Sequence, residues 1–415
     1  MERHEHKRAE MYHSILANIV VYAYSIFFAF FSIIGTKYQN GYLEIYSIIL
    51  LLLSTVGMVW LYVQKRKMAI TEVLIFLFIL IIFLAYSISD TRYGHNETAQ
   101  DTMEDFIARS IPAIFCAMII ANRKSVNSLA RFADIVLIYF DICCTKILVY
   151  SLVRGISVVA WDSVLFINYQ NVSYMAAFAV GIALYKLFID INNKNHLIKS
   201  VYFFSVSVCT ITAVISGGRG GVVLIVIYLI LLFLYIGFIQ KRATKVFGFI
   251  AAVLLLLLLF SRTLLLNIDI LQGFTRAFEF LNPSGGINWE GTSGRYEVYT
   301  RDWELFIKRP LFGYGVCGAP FNGIVRTHNI VFDILIDGGI AYLLIWISII
   351  YKTIKHSIKK MRVDTSYGII LVYLFGDLIM LNFSNVYMRT SAIWFSIAFA
   401  LVDSAVNKNT DLEEE

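Results

Sequence analysis

The sequence predicts an all-α polytopic membrane protein with about twelve transmembrane helices, and three observations carry that prediction. Hydrophobic residues make up 59% of the 415 and charged residues only 15%, with a mean hydropathy of +0.71, against roughly 45–50% and about 25% in soluble domains. Apolar stretches approaching the roughly 20 residues that a bilayer demands recur along the whole chain. Proline is scarce, at four residues. Soluble globular, disordered and collagen-like classes are excluded by this composition. A length that would suggest two or three soluble domains is expected instead to form one transmembrane domain over residues 1–415.

The expected spans, in chain order, are Ile15–Ile34, Leu43–Val63, Ala69–Ser87, Ile107–Ala121, Ala133–Val153, Val172–Ile189, Val201–Ser216, Gly221–Ile239, Val246–Phe260, Asn329–Tyr351, Tyr367–Phe383 and Thr390–Val402. The fourth and the last are short for a crossing. No small-residue cleavage site follows the first, so it is expected to be a retained helix and not a signal peptide. Four of the five cysteines, Cys116, Cys143, Cys144 and Cys209, sit inside apolar runs and only Cys317 in a polar loop, which gives no disulfide framework.

Charge sets the expected sidedness. Basic residues concentrate in alternate loops, at Lys65–Lys67, Arg123–Lys124, Lys194 with Lys199, Lys241–Lys245 and Lys352–Arg362, while the loop around Asp90–Arg109 is rich in carboxylates. The positive-inside rule places the basic set in the cytoplasm. Twelve spans then put both termini inside. The net charge of +6 thus reports topology and implies no nucleic-acid partner.

One external segment stands apart: residues 261–328, between the ninth and tenth spans, with three of the four prolines. A connector this long in a compact bundle is a functional candidate. Within it Tyr296, Tyr299, Trp303, Phe306 and Ile307 recur at helical spacing, with Glu297, Arg301, Glu304 and Lys308 on the other face. Ser293 is placed to cap this helix and Pro310 to stop it. The expectation is an amphipathic helix at the membrane surface, with Arg295 in its first turn, where an anion would also meet unpaired backbone N–H groups.

Two further residues complete the candidate set. His328 is the one outward-facing histidine at a helix entrance, in Arg326-Thr327-His328-Asn329; a lone interfacial histidine is more often structural, so its neighbours decide its role. Arg219 lies in the turn Ser216–Gly221, where four glycines let the backbone bend tightly and approach a ligand; the ordinary alternative is a snorkelling arginine at a helix end. Asp134, Asp141, Lys146, Lys186, Asp333, Asp337 and Asp377 fall within spans, where pairing inside the bundle is the ordinary role and an ion path the alternative. No Pro/Gly-broken helix pair of the transporter kind is read from the sequence. No second metal-ligating side chain stands near His328 at zinc spacing, and no GxxxxGK[ST] phosphate loop is present.

In these parts the chain resembles the O-antigen ligase and O-antigen or capsule polymerase superfamily of bacterial envelope glycosyltransferases. The shared features are the Ser-Gly-Gly-Arg-Gly turn at Arg219, the Ser-Gly-Arg at Arg295 followed by Trp303 and Arg309–Gly315, the Thr-His-Asn at His328, and Gly338-Gly339 after it. The resemblance implies a GT-C-like, metal-free bundle in the bacterial cytoplasmic membrane, with residues 261–328 as its external catalytic loop. It implies an undecaprenyl-pyrophosphate-linked glycan as donor and another as acceptor, no cofactor, and a chain-length regulator and a flippase as partners. Arg219 and Arg295 would stabilise the departing pyrophosphate, with His328 as general base. Arg301, Trp303, Arg326 and Asn329 would help bind substrate. The direct run from Gly318 to His328 and the Gly-Gly-Arg-Gly-Gly turn favour a polymerase of the Wzy type over a ligase acting on lipid A–core. A transporter or flippase using the intramembrane carboxylates is the third reading.

Overall fold

The computed structural model describes residues 2–39, 41–156, 158–190, 195–239 and 294–413, and among these it is helical throughout, with no strand. The expected ninth span at Val246–Phe260, the cap at Ser293 and the first part of the external loop lie outside the described residues. The helices are α1 (Glu2–Val21), α2 (Ala23–Ile34), α3 (Tyr42–Lys65), α4 (Ile70–Tyr93), α5 (Glu97–Asp105), α6 (Ile111–Asn122), α7 (Val126–Arg154), α8 (Trp161–Val164), α9 (Tyr169–Phe188), α10 (His196–Ile215), α11 (Arg219–Leu234), α12 (Arg295–Lys308), α13 (Gly318–Phe321), α14 (Ile330–Met361), α15 (Gly368–Met380) and α16 (Ser391–Glu413).

Seven of the described helices are long and apolar enough to cross a membrane, or eight if α1 and α2 count as one broken span. The expected first span is therefore interrupted, with the break between Val21 and Ala23. The fourth, eleventh and twelfth expected spans correspond to shorter apolar helices, of which α6 has 12 residues and α15 has 13. In α6 the cause is local: the helix is preceded by a π turn over Phe106–Ser110 and begins with Pro112 at its second position.

Contacts divide the chain into two units. One comprises Met1–Ala23, Gly41–Phe132 and Trp289–Glu415; the other comprises Tyr24–Asn40 and Ala133–Asn288. In the first unit α6 is enclosed: Ala113, Ile114, Cys116, Ala117, Met118, Ile119 and Ile120 are all buried. The outward faces of α3 and α4 carry Leu52, Val56, Trp60, Leu74, Ile81 and Leu84 exposed, as lipid-facing helices do.

The loops of the first unit gather at two ends, in the alternation that the charge pattern predicts. At one end, Lys65 Nζ donates to Asn122 Oδ1 (2.7 Å), Arg123 Nη2 to Gln64 Oε1 (3.0 Å) and Ser366 Oγ to Asn127 Oδ1. At the other, Asn96 Nδ2 donates to the Pro320 carbonyl (3.2 Å), Arg309 Nη1 to Tyr93 Oη (2.7 Å) and Arg389 Nη2 to Thr102 Oγ1 (2.9 Å).

Helix α14 is broken inside. Gly339 has φ 66° and ψ −163°, a region open essentially to glycine alone. The break frees backbone groups, and the preceding loop takes them up. The Tyr314 and Gly315 N–H groups donate to the carbonyls of Ile336 and Asp337 (both 2.8 Å), while the Ile340 and Ala341 N–H groups donate to the carbonyls of Pro310 and Leu311 (2.8 and 3.3 Å). Buried backbone groups in a bilayer must be paired, and here the Pro310–Gly315 segment supplies the pairing. The expected tenth span is thus broken at a glycine. A Cβ at Gly339 would stand 2.3 Å from the Leu311 carbonyl carbon. Gly339→Ala is expected to cost at least ~1–3 kcal/mol from the backbone conformation alone and to lower the thermal midpoint in detergent. Gly237→Ala, where a Cβ meets nothing within 4 Å, should leave it unchanged or raise it.

Candidate active site

Helix α12 starts at Arg295, behind Gly294 in a left-handed conformation (φ 77°). It stops where Arg309 leaves the helical region just before Pro310, as a proline at that position requires. The expected two-faced helix has three stripes. Val298 and Leu305 pack with Tyr314 on a small core of Ala319, Ile324 and Ile336, and Asp302 lies on this same side, wholly buried. Tyr296, Trp303 and Ile307 form a second, apolar stripe that is exposed, continued by exposed Leu311 and Phe312. Glu297, Arg301, Glu304 and Lys308 form the exposed charged stripe. The helix therefore has an apolar stripe to offer a bilayer interface and a separate face that fixes it to the protein.

The end of the inward face meets His328. Arg295 Nη2 donates to the Phe383 carbonyl (2.7 Å), and its guanidinium lies 5.6 Å from the centre of the Phe383 ring. Tyr299 Oη donates to the His328 carbonyl (3.4 Å), and its ring sits 5.7 Å from that of Phe332. His328 itself has φ 55°, a left-handed conformation that is uncommon outside glycine. It is held there by its neighbours: Thr327 Oγ1 donates to Asp333 Oδ1 (2.7 Å), and Asn329 Oδ1 caps α14 by accepting from the Val331 and Phe332 N–H groups (2.8 and 3.4 Å). The imidazole Nδ1 is buried without a hydrogen-bond partner. Burial, followed by the nearby positive charges of Arg295 and Arg326, pushes the His328 pKa below its ordinary value. The lowered pKa favours the neutral ring at neutral pH.

A third arginine stands in the same unit. Arg389 is tied to Asp105 (3.4 Å) and Thr102, and it feels the charge of Arg326.

Arg219 belongs to the second unit and is the first residue of α11. Its flanking glycines have a packing cause. A Cβ on Gly220 would fall 2.0 Å from Tyr174 Oη, one on Gly221 2.1 Å from Ser173 Oγ, and one on Gly218 2.3 Å from Ser173 Cβ. Ser173 Oγ also donates to the Gly218 carbonyl (2.7 Å). Three of the four glycines thus let α11 approach α9, where the sequence suggested approach to a ligand; Gly217, with φ 68°, makes the bend. The result places Arg219 half-buried at a helix start.

Residues 203–347 match the O-antigen ligase family. The matched segment runs from within α10, through the Arg219 turn and α12, to the part of α14 beyond the Gly339 break, and so includes both arginines and His328. It bears out the resemblance drawn from the motifs. No curated protein matches the chain.

Within the O-antigen ligase match, the structure sorts the candidate residues. Arg295, Arg326 and His328 are electrostatic neighbours. Asn329 is engaged as a helix cap. Arg301 and Trp303 sit on the two exposed stripes of α12, away from the face that carries Arg295 and Tyr299. The intramembrane charges take the ordinary role. Lys186 pairs with Asp134 (3.3 Å) and Asp190 (3.4 Å), Asp141 accepts from Ser205 (2.7 Å), and Lys146 donates to the carbonyls of Ser32 and Ile33. Asp377 accepts from the Ile393 N–H (2.9 Å). Asp337 accepts from Tyr387 Oη (2.7 Å) and from the Gly318 N–H (2.8 Å), which pins α13 to α14.

Asp302 is the residue that sequence reasoning passed over. Its carboxylate is fully buried and neither oxygen has a hydrogen-bond partner. Burial raises its pKa to about 7, against the opposing pull of Arg301. A raised carboxyl pKa means that the folded state binds the proton more tightly than the unfolded chain. Stability from this group is therefore lost as pH rises from about 4 towards 7. Asp302→Asn removes the ionisation and is expected to raise the thermal midpoint more at pH 8 than at pH 4. Thermal unfolding at the two pH values checks this; an equal shift at both would place the effect outside ionisation.

Proposed function

We propose that this protein is a lipid-linked-donor glycosyltransferase that polymerises undecaprenyl-pyrophosphate-linked repeat units at the outer face of a bacterial cytoplasmic membrane. The observation that carries the reading is the His328 corner: an imidazole with an unpartnered ring nitrogen, under the charges of Arg295 and Arg326. The acceptor hydroxyl oxygen attacks the anomeric carbon of the donor sugar. The bond from that carbon to the pyrophosphate oxygen breaks, and the hydroxyl proton passes to His328. The arginines stabilise the charge that develops on the pyrophosphate. Attack opposite the leaving group inverts the anomeric configuration. Arg219 is proposed as a further phosphate contact on the strength of its sequence motif. Arg301 and Trp303 are proposed as contacts for the more distant parts of the substrate, and Asn329 as a contact through its remaining amide N–H groups.

Sidedness follows from charge. Lys65, Arg66, Lys67, Arg123 and Lys124 cluster at the end opposite His328, and the positive-inside rule makes that end cytoplasmic. Polymerase is favoured over ligase by the short, pinned connection from Gly318 to His328. That segment is held by Asp337 at Gly318 and by Asn96 at Pro320, leaving no insertion to receive a large second acceptor. The ligase reading is retained because the matched family is described as O-antigen ligase. Deletion of the gene separates them. Surface glycan reduced to single repeats supports polymerase. Long glycans that accumulate on the lipid carrier, with none on lipid A–core, mean ligase. Unchanged surface glycan in the deletion strain excludes both.

A further inference from the structure

At the end of the first unit opposite His328, the ends of α3 and α6 border an open pocket of about 500 Å³ lined by Leu61, Gln64, Lys65, Ala69, Asn122, Arg123, Lys124 and Val406. Its wall is basic on one side and apolar on the other. The basic side is built on a fixed floor. Glu72 is fully buried and accepts from Lys65 Nζ (3.0 and 3.2 Å), Asn122 Nδ2 (2.6 Å) and the Ala69 N–H (2.6 Å). That one carboxylate answers Lys65. Arg123 is different: Nη2 donates to Gln64, Glu10 supports its charge electrostatically, and its Nε is buried without a hydrogen-bond partner. An unpaired buried guanidinium N–H is costly, more so than a neutral donor. The backbone here is also unusual. Lys124 and Arg66, which close α6 and α3, hold φ of 50° and 55°, where glycine or asparagine is the ordinary helix-ending residue. Cationic side chains stand at these positions despite the backbone cost.

We propose that this pocket binds the phosphate of an anionic phospholipid, with the Arg123 guanidinium and the Lys124 ammonium on the phosphate oxygens and the lipid's apolar part against Leu61, Ala69 and Val406. Basic pockets between membrane helices are suited to such head groups, and Arg123 and Lys124 bring two cationic side chains to one wall of this pocket. Nothing in this site touches the glycan-transfer machinery, so it stands or falls independently of the function proposed above.

The test uses the full chain in neutral detergent. Its thermal midpoint is followed on titration with phosphatidylglycerol, with phosphatidylcholine or with inorganic phosphate. Bound lipid is counted by native mass spectrometry. The expected result is a saturable upward shift with phosphatidylglycerol and none with phosphatidylcholine or inorganic phosphate. Arg123→Gln should weaken retention about tenfold, the loss of one charge-assisted contact. Lys124→Gln, at an exposed side chain, tests the same charge without disturbing the Gln64 bond and should weaken retention in the same direction. An equal shift with inorganic phosphate would assign the pocket to a free anion and overturn the lipid. Equal shifts with both phospholipids, or unchanged retention in both variants, would overturn the site.

Discussion

His328→Gln is expected to reduce glycan transfer by ~10²–10⁴-fold, the usual contribution of a positioned general base, while the protein keeps its fold and its lipid-linked donor. Glutamine can donate a hydrogen bond but is a poor base, so it separates proton acceptance from phosphate contact. The wild-type pH profile gives a second reading. Burial and the charges of Arg295 and Arg326 lower the His328 pKa, so the neutral, proton-accepting form persists to more acid pH than for a free imidazole. The rate should be flat above neutrality and fall only as pH drops through a midpoint below about 6.5, the ordinary histidine value. Arg326→Gln removes one of the depressing charges and should move that midpoint upward. Near-normal glycan length from His328→Gln, or a midpoint indifferent to Arg326, would assign His328 a structural role at the entrance to α14.

Arg295→Lys is expected to lose ~2.7–4 kcal/mol of transition-state stabilisation, the typical cost of one donor to a developing oxyanion. Lysine keeps the charge, so the electrostatic effect on His328 is largely preserved. What is lost is the planar fork that binds phosphate oxygens in pairs and that here also reaches the Phe383 carbonyl and ring. A fall in rate with an unchanged thermal midpoint marks a phosphate contact. A fall in both marks an anchor between α12 and the α15–α16 turn. Arg219→Lys should show the same loss of rate if its motif has the phosphate role; full activity there would leave Arg219 as a helix-end anchor.

Much of this was open to the sequence because the forces concerned are local. Composition and apolar run length determine that the chain belongs in a bilayer, and the alternation of basic loops determines which loops share an end. Pro310 bounds α12 through a backbone restriction that needs no knowledge of the fold, whereas the cap is Gly294, one residue beyond the expected Ser293. The order of Arg219, Arg295 and His328 pointed to the family that residues 203–347 match.

Tertiary structure decided the rest. The glycines around Arg219 look like a ligand turn in sequence, but their necessity comes from Ser173 and Tyr174 on α9, more than 40 residues earlier. Gly338-Gly339 is visible as a spacing, yet only the pairing of Pro310–Gly315 with the freed backbone groups shows that the span is broken there. Asp302 falls at helical spacing with Val298 and Leu305 and apart from Glu297 and Glu304, but the spacing alone does not say that this face is buried; that is fixed by the packing of Val298 and Leu305 on Ala319, Ile324 and Ile336. His328 was selected by position, but its lowered pKa comes from burial and then from two arginines. The physical reason is common to all four cases. Hydropathy and backbone preference are properties of a residue and its near neighbours, whereas burial, charge proximity and backbone pairing across segments depend on which distant residues fill the same space.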